Sequence, residues 1–242
     1  MDIGAILDRF VEGLTSIDSL SRMPGQNSRT GQTYLAGLAA MLEKHAVLAV
    51  KDWWDRAYPR DFPDGQPMLV EVPYSSTARG EKVDMVFSSA KSDATFPEWA
   101  VEVKRLQLIG DNGKNNDYAV AKTISPYLKD RSILHDVERL RANSIGHKKA
   151  VVVYGFEYDF LTCAEALTHH PTETVRIKNI RDVCYKNDPV NGILHLDPMI
   201  EIMNNFLLAH KLVVGPVVIR PFNGVWRHPC GGDGKVFGWQ VT

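Results

Sequence analysis

Two stretches, Glu81-Lys82-Val83-Asp84-Met85-Val86-Phe87 and Trp99-Ala100-Val101-Glu102-Val103-Lys104, set the architecture, because both alternate with the period of a β-strand. In the second, Trp99, Val101 and Val103 point to one face and are core residues. Ala100, Glu102 and Lys104 are therefore placed together on the other face. In the first, Asp84 and Val86 oppose Val83, Met85 and Phe87, so pairing of the two strands brings Asp84 beside Glu102. Two acids and a lysine then converge. A third strand, Met68–Tyr74, precedes them, and the turn-prone segments between the three predict an antiparallel meander.

Reading upstream, Leu35, Leu38, Ala39, Leu42, Ala46, Ala49 and Val50 outline a helix from Thr33 towards Trp54, capped by Thr33 or the residue before it and ended by Pro59, Pro63, Asp64, Gly65 and Pro67. Reading downstream, Gly110–Asp117 is a Gly/Asn/Asp-rich surface loop. Ser125-Pro126 then has the form of a helix start, and Leu128, Ile133, Leu134, Val137 and Leu140 carry that helix to Asn143 or Gly146. Ala150–Tyr154 is an unbroken apolar run, the pattern of a strand buried on both faces. Helix, three strands, helix and strand predict an α/β protein with a mixed central sheet flanked by helices.

Additions lie on both sides of this core, which spans about 33–156. An amphipathic helix at 3–17 and a loop fill the first 32 residues. The elaboration after 157 holds a helix near Cys163–Leu167, a strand near Thr174–Ile177, a helix from Pro198 to His210, and strands at Leu212–Arg220 and Val236–Val241. The chain has 242 residues, 44% hydrophobic and 24% charged, which suits a single folded domain over 1–242 and excludes collagen-like, disordered and disulfide-scaffold classes. No apolar stretch approaches the ~20 residues of a membrane span, and Met1-Asp2-Ile3 lacks the basic start of a secretion signal. Cys163, Cys184 and Cys230 show no metal-like spacing. A cytoplasmic, reducing location is the expectation.

Two neighbouring carboxylates make a hard oxygen site of the kind Mg²⁺ accepts, with Mn²⁺ as a substitute. A lysine beside them can orient a water or stabilise charge on phosphorus, which together describe metal-assisted phosphodiester hydrolysis. Asp84, then Glu102-x-Lys104, in this order of elements, resembles the PD-(D/E)xK superfamily of restriction-endonuclease-like nucleases. Val83 stands where the pattern often has proline. The resemblance covers about half the chain and implies an αβββαβ core, DNA as substrate, Asp84 and Glu102 as metal ligands and Lys104 as the water-activating or charge-stabilising group. Many members also carry a helper acid on the first helix. Glu43 fills that place, since it rides on the apolar stripe with Ala39, Ala46 and Val50, where a carboxylate needs compensation. Pairing with a basic residue at the edge of the stripe is the alternative for Glu43, and Glu71 is a weaker substitute that either joins the site or faces solvent.

Net charge is only −1, but residues 101–150 hold 10 basic against 6 acidic side chains. Lys104, Arg105, Lys114, Lys122, Lys129, Arg131, Arg139 and Arg141 all follow directly from the third strand, where a phosphate backbone would approach. Arg105, Lys114, Lys129 and Arg131 are the nucleic-acid-binding candidates, with Lys114 and Arg105 foremost, although for most single basic residues of the block a solvated surface charge is the favoured reading. His169-His170 near Cys163 reads as a loop or helix end, and Arg227–Lys235 as a hairpin connection. A double-strand cutter needs two sites, so a homodimer is expected. The competing reading is an inactive nucleic-acid-binding or interaction protein on the same scaffold, in which Glu102 and Lys104 are an ordinary strand pair.

Overall fold

A computed structural model describes residues 1–18, 37–38, 41–74, 80–93, 96–107, 123, 125, 132–157, 196–224 and 233–242. Its helices are α1 (Ile3–Asp18), α2 (Glu43–Ala57), α3 (Ile133–Ala142) and α4 (Asp197–Ala209). Its strands are β1 (Leu69–Pro73), β2 (Lys82–Phe87), β3 (Trp99–Leu106), β4 (Lys148–Phe156), β5 (Val213–Phe222) and β6 (Gly234–Val241). The strands form one mixed sheet in the order β1-β2-β3-β4-β6-β5.

Apolar content fixes each strand's place in that order. β4 is buried without interruption from Ala150 to Phe156 and lies inside the sheet, parallel to β3 and antiparallel to β6. Parallel neighbours need a crossover between them, and α3 lies in the β3–β4 connection. β1, β2 and β3 form the antiparallel meander read from alternation, and β5 and β6 form an antiparallel pair at the far edge. Trp54 of α2 packs on Phe62 and on Phe87 of β2, with ring centroids 5.6 Å apart in both contacts. The helix thus covers the Val83, Met85 and Phe87 face. α3 covers the opposite face, that of Asp84 and Glu102.

α1 is pinned to α2 by a polar knot. Asp61 Oδ2 accepts from Arg9 Nε at 2.8 Å and from the buried Trp54 indole N–H at 2.9 Å. The Tyr58 hydroxyl donates to Glu12, while the Arg9 guanidinium sits 3.5 Å from the Tyr58 ring centroid.

Two helix starts differ from the sequence reading. α2 begins at Glu43, because Leu42 is extended (ψ 142°) and Gly37 has φ +99°, conformations that stop the helical periodicity of Leu38 and Leu42 from becoming a helix. α3 begins at Ile133. Ser132, not Ser125, caps it, with its hydroxyl accepting from the His135 N–H at 3.3 Å. The elements expected near Cys163–Leu167 and Thr174–Ile177 fall outside the described residues, as do the Gly110–Asp117 loop and most of the β5–β6 connection.

Candidate active site

β2 and β3 pair through Met85↔Val101, Val86↔Ala100 and Phe87↔Trp99, and the same register carried one step further sets Asp84 opposite Glu102. The ladder stops there. The Asp84 side chain takes the place of a strand partner, its Oδ2 accepting the Val103 N–H at 2.7 Å. On the other side of β2, Glu71 faces Asp84 in the β1 register but has φ +56°, a backbone conformation that costs a non-glycine residue energy and clusters at functional sites. Its carboxylate turns to Lys44 at 2.9 Å and Lys82 at 3.5 Å. Lys44 chiefly holds it below the ordinary glutamate value.

Glu102 is the buried centre, with 1% of its side chain exposed. Its Oε1 accepts from the Tyr74 hydroxyl at 2.5 Å and from Arg139 Nη2 at 2.6 Å. Asp136 of α3, equally buried, lies 2.8 Å from Lys104 Nζ and 3.0 Å from Arg139 Nη2. Glu43, first residue of α2, accepts the Arg105 N–H through Oε2, and its Oε1 is 4.0 Å from Lys104 Nζ. α2, β1, β2, β3 and α3 therefore deliver Glu43, Tyr74, Asp84, Glu102, Lys104, Asp136 and Arg139 to one place where strands diverge.

Four carboxylates in this cluster meet two cations, and the electrostatics follow from that excess. Burial, then the neighbouring Asp136 and Asp84, push Glu102 well above the ordinary glutamate value, against the Arg139 guanidinium. Burial also raises Glu43 and Asp136, and Lys104 opposes both shifts. Lys104 itself is held above the ordinary lysine value; burial disfavours its charge, but Asp136 and Glu43 outweigh that. It is a firm ammonium, suited to stabilising negative charge.

The residues fit a divalent cation in their chemistry. All four acids offer hard oxygens, the excess of two negative charges equals the charge of one such ion, and the buried Tyr154 hydroxyl has no partner among the described residues. Burial raises the Tyr154 phenol, and Arg105, Glu43 and Asp84 are the charged groups that act on it. The side-chain arrangement is closed, however. Each acid is engaged by a protein donor, and among the described residues no three His, Cys, Asp or Glu side chains are disposed around one point as metal ligands.

Of the candidates read from sequence, Asp84, Glu102, Lys104 and Glu43 come together, whereas Glu71 stays with Lys44 and Lys82. Lys104 gives its ammonium to Asp136 at 2.8 Å, closer than to any candidate acid named from sequence. Arg105 turns inward, its Nη1 donating to the Met41 carbonyl at 2.7 Å. Lys114, Lys129 and Arg131 lie outside the described residues. Sequence reasoning missed Asp136, Arg139 as a site residue, and Tyr74. Asp136 was detectable, since it shares the buried stripe of α3 with Ile133, Val137 and Leu140, the same signal that picks out Glu43. Comparison with protein-family models, with curated proteins and with solved structures gives no match for this chain.

Proposed function

We propose that the protein is a Mg²⁺-dependent endonuclease that hydrolyses phosphodiester bonds in DNA. The observation that carries this reading is a buried surplus of carboxylates gathered around a lysine where β2 and β3 part. Such a surplus is costly without a cation to balance it, and proteins keep costly polar clusters where chemistry needs them. The order of α2, β1, β2, β3, α3 and β4 supports the PD-(D/E)xK resemblance as well.

On this reading Asp84 and Glu102 hold the ion, with Glu43 as a further ligand. The bound ion would polarise the phosphodiester and lower the pKa of a water. Asp84 is positioned by the Val103 N–H and Glu43 by the Arg105 N–H, so two ligands are oriented by the backbone of β3 itself. Lys104, kept charged by Asp136, stabilises negative charge that develops on the phosphate oxygens. Asp136 is a positioning residue that fixes the ammonium. The ion pair with Asp136 places Lys104 to act as a charge.

A second reading rests on the closed arrangement of the acids. In it the cluster is a salt-bridged knot within an inactive nucleic-acid-binding or interaction protein. One experiment separates the two: incubation of supercoiled and linear DNA with purified protein and Mg²⁺ or Mn²⁺, beside Asp84→Asn and Lys104→Met. Metal-dependent cleavage lost in both variants supports the nuclease. DNA binding without cleavage supports the second reading, and cleavage that survives both substitutions contradicts the assignment of the site.

A further inference from the structure

The cation that balances Glu102 in the structure is Arg139. Its Nη2 bridges Glu102 Oε1 at 2.6 Å and Asp136 Oδ1 at 3.0 Å, so one guanidinium nitrogen occupies the space between two buried acids. Tyr74 secures the arrangement from the other side, donating to the same Glu102 oxygen at 2.5 Å, with its ring 5.1 Å from the Arg139 guanidinium carbon. Arg139 Nε has no hydrogen-bond partner among the described residues, although it is buried. A structural arginine at such depth normally satisfies all its donors, so this group is only partly committed to its position.

We infer that Arg139 is an internal counter-ion that competes with the divalent metal for Glu102, and that Arg139 and Tyr74 together latch Glu102 against the metal. The inference rests on the reading that Asp84 and Glu102 hold the ion. It follows from geometry and charge. Tyr74 and Arg139 share one of the two carboxylate oxygens that Glu102 offers, and a guanidinium beside a divalent ion is repelled by it. Metal entry would therefore displace Arg139 from Glu102 and leave it on Asp136.

This role has a sign opposite to that of an ordinary supporting residue. Removing a group that orients a metal ligand weakens metal binding, typically 10–100-fold. Removing a competitor strengthens it. The test is calorimetric titration of the full-length chain with Mn²⁺ at neutral pH without nucleic acid, comparing wild type with Arg139→Met, Arg139→Lys, Tyr74→Phe and Glu102→Gln. Arg139→Met is expected to bind Mn²⁺ about tenfold more tightly than wild type, a change of the size that groups around a metal site produce. Arg139→Lys is expected to return affinity towards wild type, and the metal-free Arg139→Met chain to melt at lower temperature, with the deficit shrinking at saturating Mn²⁺. Weaker or unchanged binding by Arg139→Met overturns the inference. Should that variant fail to fold, Tyr74→Phe carries the test, since loosening the latch must also tighten Mn²⁺ binding and a weaker affinity overturns it. A wild type that binds Mn²⁺ and loses it in Glu102→Gln while Arg139→Met binds worse removes only the latch. Absence of Mn²⁺ binding in both the wild type and Arg139→Met removes the metal-site reading and the latch with it.

Discussion

The ion pair between Lys104 and Asp136 can be tested for whether it belongs to a closed site or to a solvated surface. The nitrogen and oxygen are 2.8 Å apart, with 18% and 2% of the two side chains exposed. Coulomb's law at that distance gives about 6 kcal/mol at an effective dielectric constant of about 20 and about 1.5 kcal/mol in bulk water. Glu43 and Arg139 share the two partners, so neither single substitution leaves an entirely uncompensated charge. A coupling energy of about 3 kcal/mol is therefore expected, between the two limits. The assay is a double-mutant cycle of Lys104→Met and Asp136→Asn, each read by urea unfolding at pH 7. Both singles should be strongly destabilised and the double mutant much less than their sum. A coupling below about 1 kcal/mol, the range of exposed pairs, would refute the claim that α3 closes over this face of β3.

Three further outcomes follow from the same structure. Glu98 is buried, and although burial opposes its charge, Lys148 at 2.8 Å and the Ser89 N–H and hydroxyl hold it down at about 2. Its folded value lies below its unfolded one, so it stabilises the fold above about pH 4.5 and loses that contribution as pH falls towards 2; the loss is at most about 3 kcal/mol, and acid unfolding of Glu98→Gln should lack it. For Glu102 the sign reverses. Its raised value means that stability declines as pH climbs past the ordinary glutamate range, so urea unfolding at pH 5 and pH 8 should show a smaller decline in Glu102→Gln than in wild type. Gly146 has φ +72°, and an added Cβ would stand 2.8 Å from the Ala100 backbone nitrogen, so Gly146→Ala should cost about 2–4 kcal/mol by urea unfolding, and a cost of about zero would contradict the close approach of the α3–β4 turn to β3.

Local pattern made the sheet legible and left the helix starts obscure. Alternation in Lys82–Phe87 and Trp99–Lys104 fixes both the faces and the pairing, because a one-residue slip would set Asp84 on the Val101 face and Glu102 on the Met85 face, among apolar side chains. The unbroken run in β4 likewise admits one place, inside the sheet. Helical spacing is weaker information. Leu38 and Leu42 fall in phase with α2 although they precede its first residue, and the Ser125-Pro126 signal competes with a cap at Ser132 that has no proline after it.

The site divides in the same way. Asp84, Glu102 and Lys104 follow from alternation, and Glu43 from its stripe, but their actual partners are set by packing between elements far apart in sequence. Tyr74 reaches Glu102 across 28 residues and Arg139 across 37. Asp136 on an apolar stripe signals a buried acid, and only the crossing of α3 over β3 reveals that Lys104 is its partner. The positive φ of Glu71 leaves no trace in a strand pattern, since alternation assumes the extended backbone that this residue departs from.

Crystals soaked in Mn²⁺ and examined by anomalous scattering test the central claim most directly. The proposed nuclease predicts a Mn²⁺ peak between Asp84 and Glu102, bound through their carboxylate oxygens, with Arg139 withdrawn from Glu102. A map with no Mn²⁺ peak at these acids, and with Tyr74 and Arg139 still bound to Glu102, would contradict it and leave the salt-bridged knot as the account of the cluster.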